Sequence, residues 1–125
     1  MDTIVIDPGH GGTTTTGNSS PNNATGPNGT KEKSVTLDLG VRVAELLVNQ
    51  GYNVLLTRNS DVNLGLKARA EIAETNNAKA FVSIHFNGDA NSSIQGTETW
   101  AHSTSTNDSR LLAASVQNRL IAVTQ

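Results

Sequence analysis

Apolar positions along the chain follow two alternating patterns, one typical of buried strands and the other of amphipathic helices. Continuous runs of mainly branched residues predict strands at residues 3–7, 53–57 and 80–86. Apolar residues at helical spacing predict helices over residues 31–50 and 64–76, and Gly51 is expected to end the first of them.

The C-terminal part of the chain predicts one more strand and one more helix. Residues 97–101 form the short strand, and Thr106 or Asn107 would cap the helix that follows. The apolar residues of that helix are Leu112, Val116, Leu120 and Val123. The order β-α-β-α-β-β-α predicts an α/β fold with a mainly parallel sheet and helices on both faces, in three α/β/α layers.

A long polar loop, residues 13–29, separates the first strand from the first helix. It is rich in Gly, Thr, Asn, Ser and Pro, and its largest apolar side chain belongs to Ala24. Loops of this length are uncommon inside a compact domain and are usually functional or mobile. The composition favours a mobile surface insertion.

Composition narrows the classes of function. A chain of 125 residues fits one domain, and a net charge of −2 without a basic stripe argues against nucleic acid as a partner. The absence of cysteine excludes disulfides, cysteine-based zinc sites and a thiol nucleophile. The apolar runs are too short for membrane insertion. Since no signal peptide precedes the first strand, we expect either an excised domain or export by another route.

Two histidines and one glutamate are expected at the same edge of the sheet. His10 and His85 each follow a strand, and Glu32 begins the first helix. The carboxyl ends of parallel strands share one edge, where active sites collect, and the first helix begins there too. Two His and one carboxylate with a fourth position open form a catalytic zinc arrangement, so the sequence predicts a Zn²⁺ site.

This ligand set suits hydrolysis. Zinc lowers the pKa of a bound water from 15.7 to about 7 and polarises carbonyl oxygens. The glycines beside His10 would let the backbone approach both metal and substrate. A phosphate-binding loop is a poorer interpretation of this turn, because it lacks the GxGxxG spacing and a following Lys-Ser/Thr pair.

Two other polar residues, Asp7 and Glu98, have alternative roles, and a third, His102, has one. Asp7 would either orient a ligand or the turn, or cap the turn before Pro8. Glu98, on the same face of the predicted fourth strand as Trp100, would be either a proton handler near the metal or a solvent-facing acid. His102 is expected on the surface.

Five segments carry a resemblance to a known family: VIDPGHGG, NGTKEKSVTLDLG, GYNVLLTR, FVSIHFN and GTETW. In this order they resemble the zinc-dependent N-acetylmuramoyl-L-alanine amidases (amidase type 3 family), cell-wall hydrolases of bacteria, spores and phages. The combination of motifs is specific. The resemblance implies that His10, Glu32 and His85 bind zinc, and that zinc-bound water cleaves the amide between N-acetylmuramic acid and L-alanine of peptidoglycan.

The resemblance also suggests roles for residues outside the ligand set. Asn87, in the His-x-Asn pattern, would bind substrate or hold its loop, and Arg69 would form a structural ion pair. A glutamate acts as general acid/base in the family, as this chemistry requires.

That glutamate lies in a later segment of the family, similar to VExGFxSN, which this sequence does not contain. The resemblance therefore covers about the first two-thirds of a catalytic domain, with C-terminal strands missing. We expect residues 1–125 to bind zinc but to hydrolyse cell wall poorly, with Glu98 as the alternative proton handler.

The leading hypothesis is thus a peptidoglycan amidase working outside the cytoplasm, in the cell wall or periplasm. The missing leader favours a phage lysin or an excised domain. A non-catalytic zinc-bearing wall-binding module and a metal-dependent deacetylase are the alternatives. Residues 13–29 would regulate access to the site or contact the glycan.

Overall fold

A computed structural model describes residues 1–124 as two compact units, Met1–Gly88 and a second that begins at Asp89. The first unit contains β1 (Thr3–Pro8), α1 (Glu32–Asn49), β2 (Asn53–Leu56), α2 (Leu66–Thr75) and β3 (Ala80–Ile84). The second contains α3 (Asn107–Thr124). Within the described residues, no helix combines the length and apolar character needed to cross a bilayer.

The first unit is built on a three-stranded parallel sheet in the order β2-β1-β3. Ile6 of the central strand pairs with Leu56 on one side and Val82 on the other. Val5 and Ile6 are buried because strands flank them on both sides and helices cover them. The predicted parallel sheet is confirmed.

Helices α1 and α2 pack on opposite faces of this sheet. Gly40 of α1 lies against Pro8 and Ile6, whereas Arg69 of α2 contacts Asp7. Because successive side chains of a strand point to opposite faces, these contacts place the two helices on different sides of β1. The first unit therefore has the three α/β/α layers that the sequence predicts.

The sheet face toward α2 has a polar centre at Asp7. Its carboxylate pairs with Arg69 at 2.8 Å and accepts hydrogen bonds from the Thr57 and Ser83 hydroxyls, each at 2.6 Å. The ion pair expected for Arg69 is confirmed. The turn-capping role considered for Asp7 is wrong, because in the described residues its hydrogen bonds go to side chains across the sheet.

The prediction of a fourth strand at residues 97–101 is wrong. The segment forms neither helix nor strand, so the described order is β-α-β-α-β-α. Its polar groups bond to α3 instead: the Gln117 amide donates to the Thr97 carbonyl at 2.8 Å and accepts from the Thr99 hydroxyl at 2.7 Å. Thr106 caps α3 as predicted, since its hydroxyl accepts the Ser109 N–H.

The loop of residues 13–29, expected to be a mobile surface insertion, is tied to the start of α2 in this structure. The Leu66 N–H donates to the Gly17 carbonyl at 3.0 Å, in place of a side-chain cap. Gly17 touches Gly65, and a Cβ added to Gly17 would lie 2.7 Å from the Gly65 Cα. These contacts join backbone to backbone, so the loop's composition gives no sign of them.

We expect Gly40→Ala to destabilise the protein by about 1–3 kcal/mol, the usual cost of overpacking. The added Cβ would lie 2.7 Å from the Pro8 Cγ. Helix propensity alone would instead predict that Gly40→Ala raises the free energy of unfolding by about 1 kcal/mol. Urea unfolding measures the change, with the exposed α1 substitution Ser34→Ala as control. An unchanged or increased free energy of unfolding for Gly40→Ala would refute the tight helix–strand contact.

Candidate metal centre

The side chains of His10, Glu32 and His85 meet at the carboxyl edge of the sheet. His10 follows β1, His85 follows the neighbouring β3, and Glu32 is the first residue of α1. The Gly9 N–H donates to the Ile84 carbonyl at 3.0 Å and extends the pairing of β1 with β3 up to the site. The first crossover runs from β1 to β2, and the second runs from β2 back past β1 to β3. The strand order therefore reverses beside β1, which makes this a topological switch point.

The potential ligand atoms of the three side chains lie close together. His85 Nδ1 lies 3.2 Å from both His10 Nε2 and Glu32 Oε1, and His10 Nε2 lies 3.3 Å from Glu32 Oε2. Ligands bound tetrahedrally to zinc at 2.0–2.1 Å are about 3.3 Å apart. The spacing therefore fits a zinc-sized cation, and the group could hold a metal ion.

The hydrogen bonds of His10 determine which of its nitrogens faces the cluster. Nδ1 lies 2.9 Å from the Ser20 carbonyl oxygen and 3.1 Å from the Ser20 hydroxyl. A carbonyl can only accept, so Nδ1 carries the proton in this hydrogen bond. Nε2 then directs a lone pair at the other two ligand atoms, an arrangement that favours a cation between them.

Glu32 is held as a carboxylate. It is buried, which raises its pKa, but the Ala24 and Phe86 N–H groups and the nearby His10 and His85 outweigh this and leave the pKa below its usual value. The N–H donors are at 3.0 and 2.8 Å, one on each carboxylate oxygen. The site therefore contains a fixed negative charge at neutral pH.

His85 gives the centre its open side. Its side chain is 48% exposed, against 11% for His10 and 2% for Glu32. The ring lies directly over Gly9, where an added Cβ would be 2.4 Å from His85 Cε1. The glycines beside His10 were expected to leave room for metal and substrate. At Gly9 the missing side chain leaves room for the imidazole ring of His85.

Two buried arginines hold the backbone of the His10 turn. Arg58 donates to the carbonyls of Pro8 and Gly9, each at 2.9 Å. Arg69 donates to the carbonyls of Pro8 and His10, also at 2.9 Å. Burial, together with the charge of Arg69, lowers the pKa of Arg58. Three consecutive carbonyls therefore face inward, and His10 adopts a φ of 63°, which is uncommon for a residue other than glycine.

Lys33 and Asp61 fix the next turn residue, Gly12. The Lys33 ammonium donates to the Gly12 carbonyl at 2.8 Å and to the Asp61 carboxylate at 2.9 Å. Asp61 in turn accepts the Gly12 N–H at 2.8 Å. Both backbone polar groups of Gly12 are thereby bound by side chains from distant parts of the chain.

The other residues singled out by sequence are not members of this cluster. Asn87 is exposed two positions after His85 in the first unit. Glu98 is exposed in the second unit and lies outside any helix or strand, so the alternation expected to pair it with Trp100 does not apply. His102 is on the surface as expected, with Nδ1 2.9 Å from the Thr104 hydroxyl.

Sequence reasoning missed several residues that support the turn. Arg58 follows β2 at the same edge as the ligands, so its position was a signal that could have been used. Ser20 and Asn63 carried no such signal, because both lie in polar segments without periodicity.

Together, the fold and the cluster define an α/β protein with a candidate metal centre at the carboxyl edge of its sheet. A family profile described as N-acetylmuramoyl-L-alanine amidase matches residues 4–125. The chain belongs to this family, as its motifs suggested.

Individual relatives agree. The chain is 40% identical over 98 residues to N-acetylmuramoyl-L-alanine amidase AmiA of Escherichia coli K12, an alignment covering 78% of this chain and 32% of AmiA. The CwlD amidase of Clostridioides difficile, solved with the GerS lipoprotein, superposes with a TM-score of 0.85 at 31% identity, covering 98% of this chain and 66% of CwlD. N-acetylmuramoyl-L-alanine amidase AmiC2 of Nostoc punctiforme superposes with a TM-score of 0.62 at 46% identity, covering 72% of this chain and 46% of AmiC2. The chain thus spans about a third of the length of the first curated relatives it matches.

We expect Gly9→Ala to weaken metal binding, because its Cβ would displace the His85 ring. Zinc affinity, measured by competition with a chelating dye, should fall by at least about 10-fold, the lower end of the effect of disturbing a ligand's surroundings. Gly26→Ala is the matched control, since its Cβ would meet only ordinary contacts. Equal affinities for the two variants would contradict the packing of His85 on Gly9.

The Asp61 contact should make stability depend on pH. Hydrogen bonds from Lys33 and then from the Gly12 N–H lower the pKa of Asp61 from its usual 3.8. Such a carboxylate stabilises the folded state fully above the unfolded pKa and loses this effect as pH falls through the folded one. The stability advantage of the metal-free protein over Asp61→Asn should therefore be constant above about pH 4.5 and shrink below it. Urea unfolding between pH 6 and pH 3 tests this, and a difference that stays constant throughout would contradict it.

Proposed function

We propose that this chain provides the zinc centre of a hydrolase that cleaves the amide between N-acetylmuramic acid and L-alanine in bacterial peptidoglycan. His10, Glu32 and His85 are the proposed ligands. The observation that carries the proposal is the convergence of these three side chains, each pair with a nitrogen or oxygen contact of 3.2–3.3 Å, in a chain of this amidase family. The corresponding place of action is the cell wall or periplasm.

Each residue of the proposed centre has a separate role. A bound zinc ion supplies Lewis acidity toward water and toward the scissile carbonyl. Glu32 contributes negative charge, and its backbone donors keep it ionised. His10 is oriented by Ser20, and His85 leaves the centre open on its exposed side. The substrate is expected to approach past His85, where Asn87 is proposed to contact it.

Replacing the anionic ligand tests the proposal. Glu32→Gln removes the charge and substitutes an amide, so zinc affinity should fall by more than the roughly 10–100-fold of an outer-shell change. Release of stem peptide from purified cell wall should fall with it. Glu45→Gln, an exposed α1 substitution, is the matched control.

The products distinguish the remaining functions. Stem peptides with a free L-alanine amine, seen by mass spectrometry, support the amidase. Free acetate would identify a deacetylase instead. Zinc-dependent retention on cell wall without any released product would identify a binding module. Failure of the unsubstituted protein to bind zinc would refute the proposal.

Glu98 is proposed as the proton handler in this chain. If so, Glu98→Gln should lower the rate of peptide release by about 10²–10⁴-fold, the usual contribution of general acid–base catalysis, while zinc affinity stays the same. Glu74→Gln, at an exposed position of α2, is a suitable control. Unchanged release by Glu98→Gln would exclude this role.

A further inference from the structure

We propose that Asn63 is a positioning residue for the metal centre, acting through Ser19 and Ser20 on the ring of His10. The inference rests on the proposed function, because it concerns how the zinc ligand is oriented. Asn63 lies between β2 and α2, and the residues it holds belong to the loop 13–29.

The first link joins Ser20 to the ligand. His10 has left-handed backbone geometry beyond the end of β1, so the regular strand does not orient its ring. The Ser20 carbonyl, 2.9 Å from Nδ1, fixes the proton there and leaves Nε2 for the metal. Outer partners of this kind set both the tautomer and the orientation of metal-binding histidines.

The second link joins Asn63 to Ser19, the residue before Ser20. The Asn63 amide nitrogen donates to the Ser19 carbonyl at 2.7 Å, and its oxygen accepts from the Ser19 hydroxyl at 2.9 Å. Ser19 is only 5% exposed, so this pair is shielded from competing water. Asn63 also donates to the Thr14 carbonyl at 3.0 Å, which ties a second point of the loop.

The third link joins Asn63 to the backbone of His10 through Arg69. Arg69 Nη2 donates to the Asn63 side-chain oxygen at 3.0 Å and to the His10 carbonyl at 2.9 Å. The same nitrogen therefore fixes the backbone of His10 and the amide that, through Ser19 and Ser20, fixes its ring. Asn is suited to this position because its side chain both donates and accepts.

Two substitutions separate this role from general support of the fold. Asn63→Ala removes the hydrogen bonds of the Asn63 side chain to Ser19, Thr14 and Arg69 and should weaken zinc binding by about 10–100-fold in chelator competition. Asn63→Asp keeps an acceptor for Arg69 and Ser19 but loses both donated hydrogen bonds, so a smaller fall is expected. It also serves as the test if Asn63→Ala does not fold.

Controls and a second measurement make the outcome decisive. Asn23→Ala changes an exposed residue of the same loop, and Asn76→Ala removes a local hydrogen bond at the end of α2. Both should keep the zinc affinity of the unsubstituted protein. In the metal-free protein, ¹⁵N NMR should show the His10 proton on Nδ1, and the Asn63 variants should shift it toward Nε2.

If the unsubstituted protein binds zinc and both Asn63 variants bind it equally well with unchanged NMR signals, the positioning role is refuted and the proposed function stands. If Asn63 variants lose thermal stability but keep zinc affinity and tautomer, their role is structural only, which also refutes the inference. If no form binds zinc, the proposed function fails, and the NMR measurement alone still decides whether Asn63 orients His10.

Discussion

The structure around the candidate centre depends on the buried guanidinium of Arg69. It pairs with Asp7 at 2.8 Å and binds the carbonyls of Pro8 and His10 and the side chain of Asn63. Buried ion pairs add little net stability, because desolvation offsets the attraction, but losing one partner is costly. The pair therefore matters mainly for geometry, since it joins sheet, α2, turn and loop at one point.

A second buried cation, Arg58, lies close enough to Arg69 for that charge to add to the effect of burial and lower the pKa of Arg58. The backbone carbonyls of the turn are the dipoles that compensate this excess of positive charge. In this turn His10 has left-handed backbone geometry, at a cost of order 1–3 kcal/mol. The arginine contacts offset that cost and so hold the turn in the conformation that presents His10.

The side of the turn away from the two arginines carries negative charge. Two imidazoles and an ionised Glu32 converge there, with lone pairs and negative charge directed at a common point. The loop 13–29 stabilises two of the three groups: Ser20 orients His10, and the Ala24 N–H binds Glu32. A segment whose composition favours mobility is thus part of the shell around the proposed metal.

The sequence alone determined the three strands, three helices and the edge where His10, Glu32 and His85 meet. Buried strands and amphipathic helices have local patterns of apolar residues, and the rules for connecting parallel strands place the ends of these elements at one edge of the sheet. Only the tertiary structure decided that residues 97–101 bond to α3 instead of forming a strand, and that Asn63 anchors the loop 13–29. Those hydrogen bonds join polar residues distant in sequence, and such pairs leave no periodic pattern from which they could be predicted.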